Sequence, residues 1–462
     1  MLSPWILTQV LGCGECALAL IFLRSCATNK INIRSVLHSP TLFLVAWLAA
    51  SAIALAAFGP EHALLAVGLG GGIVGALCHP AFAISLLMGN LLMRPWEALP
   101  SGNAFEILPR GLAVLCMISL ILEHIRLARV RINLGLPLLL FGALALWLYL
   151  SAIFSFRPSE SALYLLTAFI PAAVVLFVMR NAVLDSWCIR ICEASFALSV
   201  LVVAVCALFY TADSNSLMSA GVRLEGFGQW GNSNDLAALF ATALPIVALR
   251  GALSGPPIRR CIFGFMPVCI LGLSLLLTQS RGGLMALFGS LLPYLYDRRR
   301  KPAVIGAVVA GAISVTLLST VIFSRDSREL EGSKNSRLNY VVVGLKMLIT
   351  SPLIGVGPGN YPVLYDNYST DFSEYGLRTA HSCWVLILAE GGIPGFLLFV
   401  ALFALALRSV LKARAEYPEL LMSFIAYFIA VSFLSQSYSL ATYFLFALGL
   451  AASQTGAKNA LR

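Results

Sequence analysis

The chain reads as a succession of apolar runs divided by short polar joints. A membrane-spanning helix needs roughly 20 predominantly apolar residues. Runs of that order lie near 5–23, 41–58, 109–124, 134–154, 161–179, 188–210, 233–250, 261–278, 281–296, 303–323, 383–406, 420–435 and 437–453. A shorter pair, 63–77 and 79–93, is split at Cys78-His79-Pro80 and reads either as two crossings or as a re-entrant hairpin. The pattern predicts an all-α, polytopic membrane protein with about 12–15 transmembrane helices. No charged stretch precedes the run at 5–23, so a span rather than a cleaved leader is expected there.

One segment, 324–382, interrupts the rhythm. Loops of this length are usually functional. Within it Leu338, Val341, Val342, Leu345, Leu348 and Ile349 recur at helical spacing. They predict an amphipathic helix at the membrane surface, capped by Asn335 or Ser336 and ended at Pro352. Arg337 would then fall in its first turn, where the helix dipole favours an anion. The expected organisation is therefore N-terminal spans over 1–210, central spans over 211–323, a large loop over 324–382, and C-terminal spans over 383–462.

Composition supports the membrane reading. The chain is 59% hydrophobic and 11% charged, with a mean hydropathy of +0.89; a soluble domain carries roughly 25% charged residues. The net charge of +10 comes mostly from short basic joints, such as Arg126-to-Arg131 and Arg298-to-Lys301. These suit the positive-inside rule better than nucleic acid, which is not expected as a partner. They fall on one side if the N-terminus is outside, the C-terminus is inside, and 63–93 crosses twice or not at all. The eleven cysteines, including Cys13 and Cys16, read as buried thiols rather than a metal or redox site.

The opposite side departs from the rule. It carries Arg223, Arg281, Arg325, Arg328, Arg337 and Arg378. Arginine grips phosphate or carboxylate through a planar fork of donors, so an anionic ligand is expected there. Arg325 and Arg328 lie among acids and read as a solvated cluster. Arg223 has Glu225 beside it, and structural and binding roles are both open. Arg281, at a corner followed by Gly282-Gly283, has no nearby acid in sequence, which favours a site.

Of five histidines, His38, His62, His79 and His124 sit alone at loop edges and read as incidental. His381 stands at the outer end of a span, after the arginine-bearing loop. There it could act as a general base kept neutral by those cations, or simply as an interfacial residue. Gly355, Gly357 and Gly359 could form an anion-facing turn. Tyr361, Tyr365 and Tyr368 read as an interfacial belt with a secondary role as sugar platforms. Asp366, Asp371 and Glu374 have no spacing that demands a metal, and no metal or cofactor is expected. Gly391, Gly392 and Gly395 would admit close neighbours, Pro394 would kink the span, and Glu390 reads as structural.

The stretch "HSCWVLILAEGGIPG" places His381, Ser382, Gly392 and Gly395 in a pattern that resembles the O-antigen ligase/polymerase superfamily of bacterial envelope glycosyltransferases. "TQSRGGLMAL", "SRLNYVVVGLKMLITSPLIGVGPGNY" and "EGFGQWGNSNDLA" are similar to its other recurring segments. The resemblance implies a fold like the C-type glycosyltransferases in the bacterial inner membrane. It implies metal-independent transfer, on the periplasmic face, from an undecaprenyl-diphosphate-linked glycan donor to a glycan, lipid A core or protein acceptor. Arg281 and Arg337, with Arg223, would hold the diphosphate, and His381 would be the base. A polysaccharide transporter or flippase, a protein O-oligosaccharyltransferase and a non-catalytic assembly scaffold are the alternatives.

Overall fold

The computed structural model describes residues 9–20, 63–98, 108–128, 132–182, 184–214, 223–252, 256–297, 327–370 and 376–460. They are helical, without strands. The helices are α1 (Gln9–Leu20), α2 (Ala63–Cys78), α3 (Pro80–Met93), α4 (Leu108–Arg126), α5 (Gly135–Ile153), α6 (Pro158–Asn181), α7 (Ser186–Ser214), α8 (Ser233–Ile246), α9 (Pro257–Leu277), α10 (Arg281–Asp297), α11 (Ser327–Thr350), α12 (Tyr361–Tyr368), α13 (Cys383–Ala413), α14 (Pro418–Val431) and α15 (Leu440–Ala460). Among the described residues, six are long and apolar enough to cross a membrane: α4, α5, α6, α7, α9 and α13. Shorter apolar helices accompany them. The runs expected at 41–58 and 303–323, and the cations Arg129, Arg131, Arg298 and Arg325, lie outside the described residues.

The exposed faces say which solvent this bundle meets. Val114, Ile118, Ile121 and Ile125 recur along α4 at 42–68% exposure. Water would penalise such a stripe at roughly 25 cal/mol per Å², whereas lipid accepts it. The chain is a multi-pass membrane protein. Inside the bundle, α3 is buried nearly all round, with 13 of its 14 residues enclosed, so the short pair at 63–93 forms the centre of the N-terminal half. It packs on α2, α4 and α7.

His79, expected to be incidental, instead joins these helices. Its Nδ1 accepts the Ala81 N–H at 3.1 Å, capping α3. Its Nε2 meets Glu123 of α4 at 3.4 Å. Arg126 donates to the Cys78 and Leu77 carbonyls at 2.6 and 2.5 Å, satisfying the open end of α2. Near the start of α7, Glu193 lies 3.7 Å from Arg250, which also pairs with Glu419 of α14. Two buried acids share one guanidinium there.

The C-terminal half is organised by a break in α13. Gly392 has φ +65° and ψ −171°, outside any helical region. Pro394 has no N–H to give the Glu390 carbonyl four residues back. The freed main-chain groups find other partners. The Ala389 carbonyl accepts Val356 N–H at 3.0 Å, and the Glu390 carbonyl accepts Gly357 N–H at 3.0 Å and Ser151 Oγ–H at 2.8 Å. The Gly391 carbonyl accepts Trp147 Nε1–H at 2.8 Å, and Ile393 N–H donates to Pro352 at 2.9 Å. The break is thus a socket for the 352–360 loop on one side and for α5 on the other. A Cβ on Gly355 would come within 2.4 Å of the Glu390 carbonyl oxygen. The kink therefore sits at Gly392, with Pro394 supplying the unpaired carbonyl rather than the bend itself.

Two expectations are corrected by this docking. The Gly355–Gly359 turn does not present its amides to an external anion: the Val356 and Gly357 N–H groups are spent on α13, and the Glu390 carboxylate accepts Tyr361 N–H at 3.0 Å. The protein's own carboxylate occupies the N-terminus of α12. Tyr361 and Tyr365 are fully buried. The Tyr361 hydroxyl donates to the Tyr340 carbonyl, and Asn339 donates to Tyr365 Oη at 2.9 Å. These two rings are core, with no face left for a belt or a sugar. Tyr368 is half-buried and hydrogen-bonds Thr350 through its hydroxyl.

Gly392→Ala places a Cβ 2.1 Å from the Leu353 carbonyl oxygen in a backbone region closed to L-residues. The backbone strain alone is of the order of 1–3 kcal/mol. The variant should melt at clearly lower temperature in detergent, whereas Gly272→Ala, with nothing within 4 Å, should melt like the parent. Glu390→Gln keeps an acceptor for Tyr361 and should stay near the parent. Glu390→Ala orphans a buried N–H and should lose about 1–3 kcal/mol in the same assay.

Candidate functional site

Three helix contacts gather the outer ends of the C-terminal half: α8 on α10, α8 on α14, and α10 on α14. The corner before α10 makes the closest approach. Gln279 takes φ +52°, and Ser280 Oγ accepts Gly283 N–H at 3.3 Å, capping the helix. A Cβ on Gly283 would lie 2.6 Å from Ala237 Cβ. The Arg-Gly-Gly sequence therefore lets α10 press against α8 while Arg281 leads the helix at its rim. Among the described residues Arg281 has no hydrogen-bond or ion-pair partner.

Arg223 lies on the other side of that corner. Its Nε donates to the Thr278 carbonyl at 2.9 Å, and Nη2 donates to Asn234 Oδ1 at 3.1 Å. Leu224 N–H donates to the Leu277 carbonyl at 2.9 Å. A cation thus meets the negative end of α9, and both contacts fix where the guanidinium stands.

Arg337 departs from its expected setting. Helix α11 begins at Ser327, not at Asn335 or Ser336, so Arg337 is mid-helix and exposed. No helix N-terminus adds to its charge. One turn on, Tyr340 lays its ring against the His381 imidazole, centroids 5.1 Å apart at 30°. Tyr340 is itself held through its carbonyl by Tyr361 Oη–H at 2.5 Å.

His381 stands in the left-handed region at φ +45°, uncommon for any residue but glycine. Its N–H donates to Ser435 Oγ at 2.9 Å. Ser382 then caps α13, accepting from Val385 at 3.5 Å. Trp384 Nε1–H donates to Ser432 Oγ at 2.9 Å, and Ser437 Oγ–H to the Cys383 carbonyl at 2.6 Å. The serine-rich turn between α14 and α15 therefore grips the first residues of α13. Among the described residues the imidazole nitrogens have no hydrogen-bond partner. Burial, then the charges of Arg337 and Arg378, hold the His381 pKa below its ordinary value, so the ring is neutral at pH 7.

These parts line one cavity of 810 Å³. Arg223, Arg281, Arg337 and His381 all face it, with Asn234 and Gln279. Among the described residues no Asp or Glu is on its wall. Sequence reasoning missed Tyr340, Asn234, Gln279 and Ser435. The signals available were the one-turn spacing of Tyr340 from Arg337 and the serine density of 432–439. Tyr361, Tyr365, Gly392 and Gly395 do not line the cavity. Gly395 faces Trp147, 3.3 Å from a Cβ it lacks, so the motif glycines serve the break in α13. Asp366 accepts Gly376 N–H at 2.9 Å; Asp371 and Glu374 lie outside the described residues. Among the described residues no three His, Cys, Asp or Glu converge.

No curated protein matches this chain. The family model described as O-antigen ligase matches residues 266–400. That stretch runs from within α9 to beyond the break in α13, and includes Arg281, Arg337, the 352–360 loop, His381 and both motif glycines; Arg223 lies ahead of it. Over that stretch the chain is similar to the O-antigen ligase family, which supports the resemblance carried by its sequence.

Proposed function

We propose that the protein transfers a glycan from an undecaprenyl-diphosphate-linked donor to an acceptor hydroxyl on the periplasmic face of the bacterial inner membrane. The observation that carries this reading is the 810 Å³ cavity, which brings three arginines and a neutral histidine together from separate segments, with no acid among the described residues of its wall. The outward placement follows from the basic joints of the opposite side.

The chemistry needs two things at once. The acceptor hydroxyl must lose its proton, and the leaving diphosphate must be stabilised as it takes up charge. An imidazole nitrogen of His381 accepts the proton while the acceptor oxygen attacks the anomeric carbon. The bond from that carbon to the diphosphate oxygen breaks, and its electron pair leaves with the undecaprenyl diphosphate. Arg281 and Arg337, with Arg223, supply fixed positive charge where the negative charge develops. Arg281 is the strongest candidate for direct contact, because nothing else in the described chain uses it. Arg223 is held by Thr278 and Asn234, so it acts as a placed charge. Tyr340 and Ser435 are positioning residues for His381: one stacks on the ring, the other holds its main chain.

Asparagine tolerates the left-handed backbone that His381 adopts. His381→Asn should therefore fold and insert normally yet transfer no glycan in a membrane assay with lipid-linked donor; near-normal transfer would sink the assignment. Arg281→Lys keeps the charge but loses the fork, and should lower turnover about 100-fold. The pH profile supplies a further check. Because burial and neighbouring cations depress the His381 pKa, activity should persist below pH 6.5 and fall only as the imidazole protonates. Removing one of those cations in Arg337→Gln raises that pKa, so the acid limb should move to higher pH.

A further inference from the structure

Two more cavities lie on the other side of the chain that carries His381. One, of 540 Å³, is lined by Arg94, Glu97, Tyr164, Gln229, Ser435 and Gln436 among others. The second, of 320 Å³, is lined by Arg157, Glu160, Tyr164, Thr379, Glu390 and Ser435 among others. They share Tyr164 and Ser435, so they are two lobes of one cleft. Ser435 is also the residue that accepts the His381 N–H. Thr379 faces the cleft, whereas Ala380, His381 and Ser382 face the arginine cavity. The segment 379–382 is the partition between them.

The two sides differ in charge. In the cleft each arginine is answered by a glutamate three residues later: Arg94 by Glu97 at 2.5 Å, Arg157 by Glu160 at 3.1 Å. Glu97 also accepts Gln229 N–H at 2.9 Å, so that ion pair holds the loop rather than facing a ligand. The third acid, Glu390, is bonded to Tyr361. Among the described residues no cation is left in excess to attract phosphate. What remains is an aromatic ring 43% exposed at Tyr164 beside amide and hydroxyl groups, the composition that recognises polyhydroxylated rings.

We infer that this cleft binds the acceptor, and that the acceptor part it recognises is an uncharged saccharide rather than a phosphorylated core. The inference rests on the donor reading above. It orders the site as anionic donor group on one side of segment 379–382, neutral acceptor sugar on the other, and His381 between. A chain whose acceptor is another neutral glycan extends a polysaccharide; one whose acceptor is a phosphate-rich core would need cations in this cleft.

The test is binding without turnover, with purified full-length protein in detergent. The probe is the neutral oligosaccharide fraction released by mild acid from the host's own lipid-linked glycans, labelled at its reducing end. Tyr164→Ala should weaken binding about 10-fold, and Tyr164→Phe should restore it. Gln229→Ala, which alters an exposed loop side chain, should weaken it several-fold and guards against a folding artefact at Tyr164. Arg281→Gln should leave it unchanged. The proposal is overturned if wild-type protein does not bind the probe, or if the Tyr164 and Gln229 variants bind like wild type. It is also overturned if Arg281→Gln abolishes binding, or if phosphorylated core oligosaccharide competes as well as the neutral sugar. A failure of the transferase reading shows instead as turnover by His381→Asn, which this assay does not measure.

Discussion

The face of this protein that carries the arginine cavity depends on one broken helix. Where α13 loses its regular geometry at Gly392, main-chain groups that a continuous helix would consume become available to neighbours. The 352–360 loop and the side chains of Ser151 and Trp147 take them. That docking fixes α12 through the Glu390–Tyr361 bond, α12 fixes α11 through Tyr361 and Tyr340, and Tyr340 sets the face of His381. The histidine thus begins the same helix whose interruption, about three turns further on, secures what leans against it. Each link is a specific hydrogen bond or ring contact between parts distant in sequence, so the position of the imidazole is a property of the assembled half.

Around that histidine the protein sorts its charge. Among the described residues, three arginines stand on one side with no acid on the wall, and on the other Arg94 and Arg157 are each paired with a nearby glutamate. Building both in a membrane protein is costly in different ways. The cationic side resists closing onto lipid, because a guanidinium in hydrocarbon is strongly disfavoured. The balanced side needs side chains held in pairs, which Glu97 achieves by also fixing the Gln229 main chain.

Most of the bundle was legible in the sequence because a span leaves a long, uniform signal. The runs at 109–124, 134–154, 161–179 and 383–406 correspond to α4, α5, α6 and α13, with ends displaced by up to seven residues. Arg223, Arg281, Arg337 and His381, which face the cavity, stood out for a different reason: the arginines lie on the side expected to be poor in them, and the histidine follows the loop that carries them. What could not be read has a common cause. The start of α11 lies in the polar stretch Ser327–Ser336, whose helix has no apolar period to announce it. The burial of Tyr361 and Tyr365 depends on the loop docking into α13. A tyrosine in a polar-looking segment carries no mark of whether its ring faces water or core. His79 was overlooked because Glu123 reaches it only through the packing of α3 on α4, and histidine is not among the usual helix caps.

The acid-free wall around Arg281 has a consequence for how any ligand arrives. Fixed guanidinium groups open to water draw mobile anions into the cavity, and at physiological ionic strength their field extends only about 8 Å. Loading the cavity is then an ion exchange: the incoming group displaces small counter-ions, and its apparent affinity falls as salt rises. The protein's sensitivity to its surroundings is set here by what the wall omits, and a carboxylate inserted anywhere on it would act as a permanent, covalently tethered competitor.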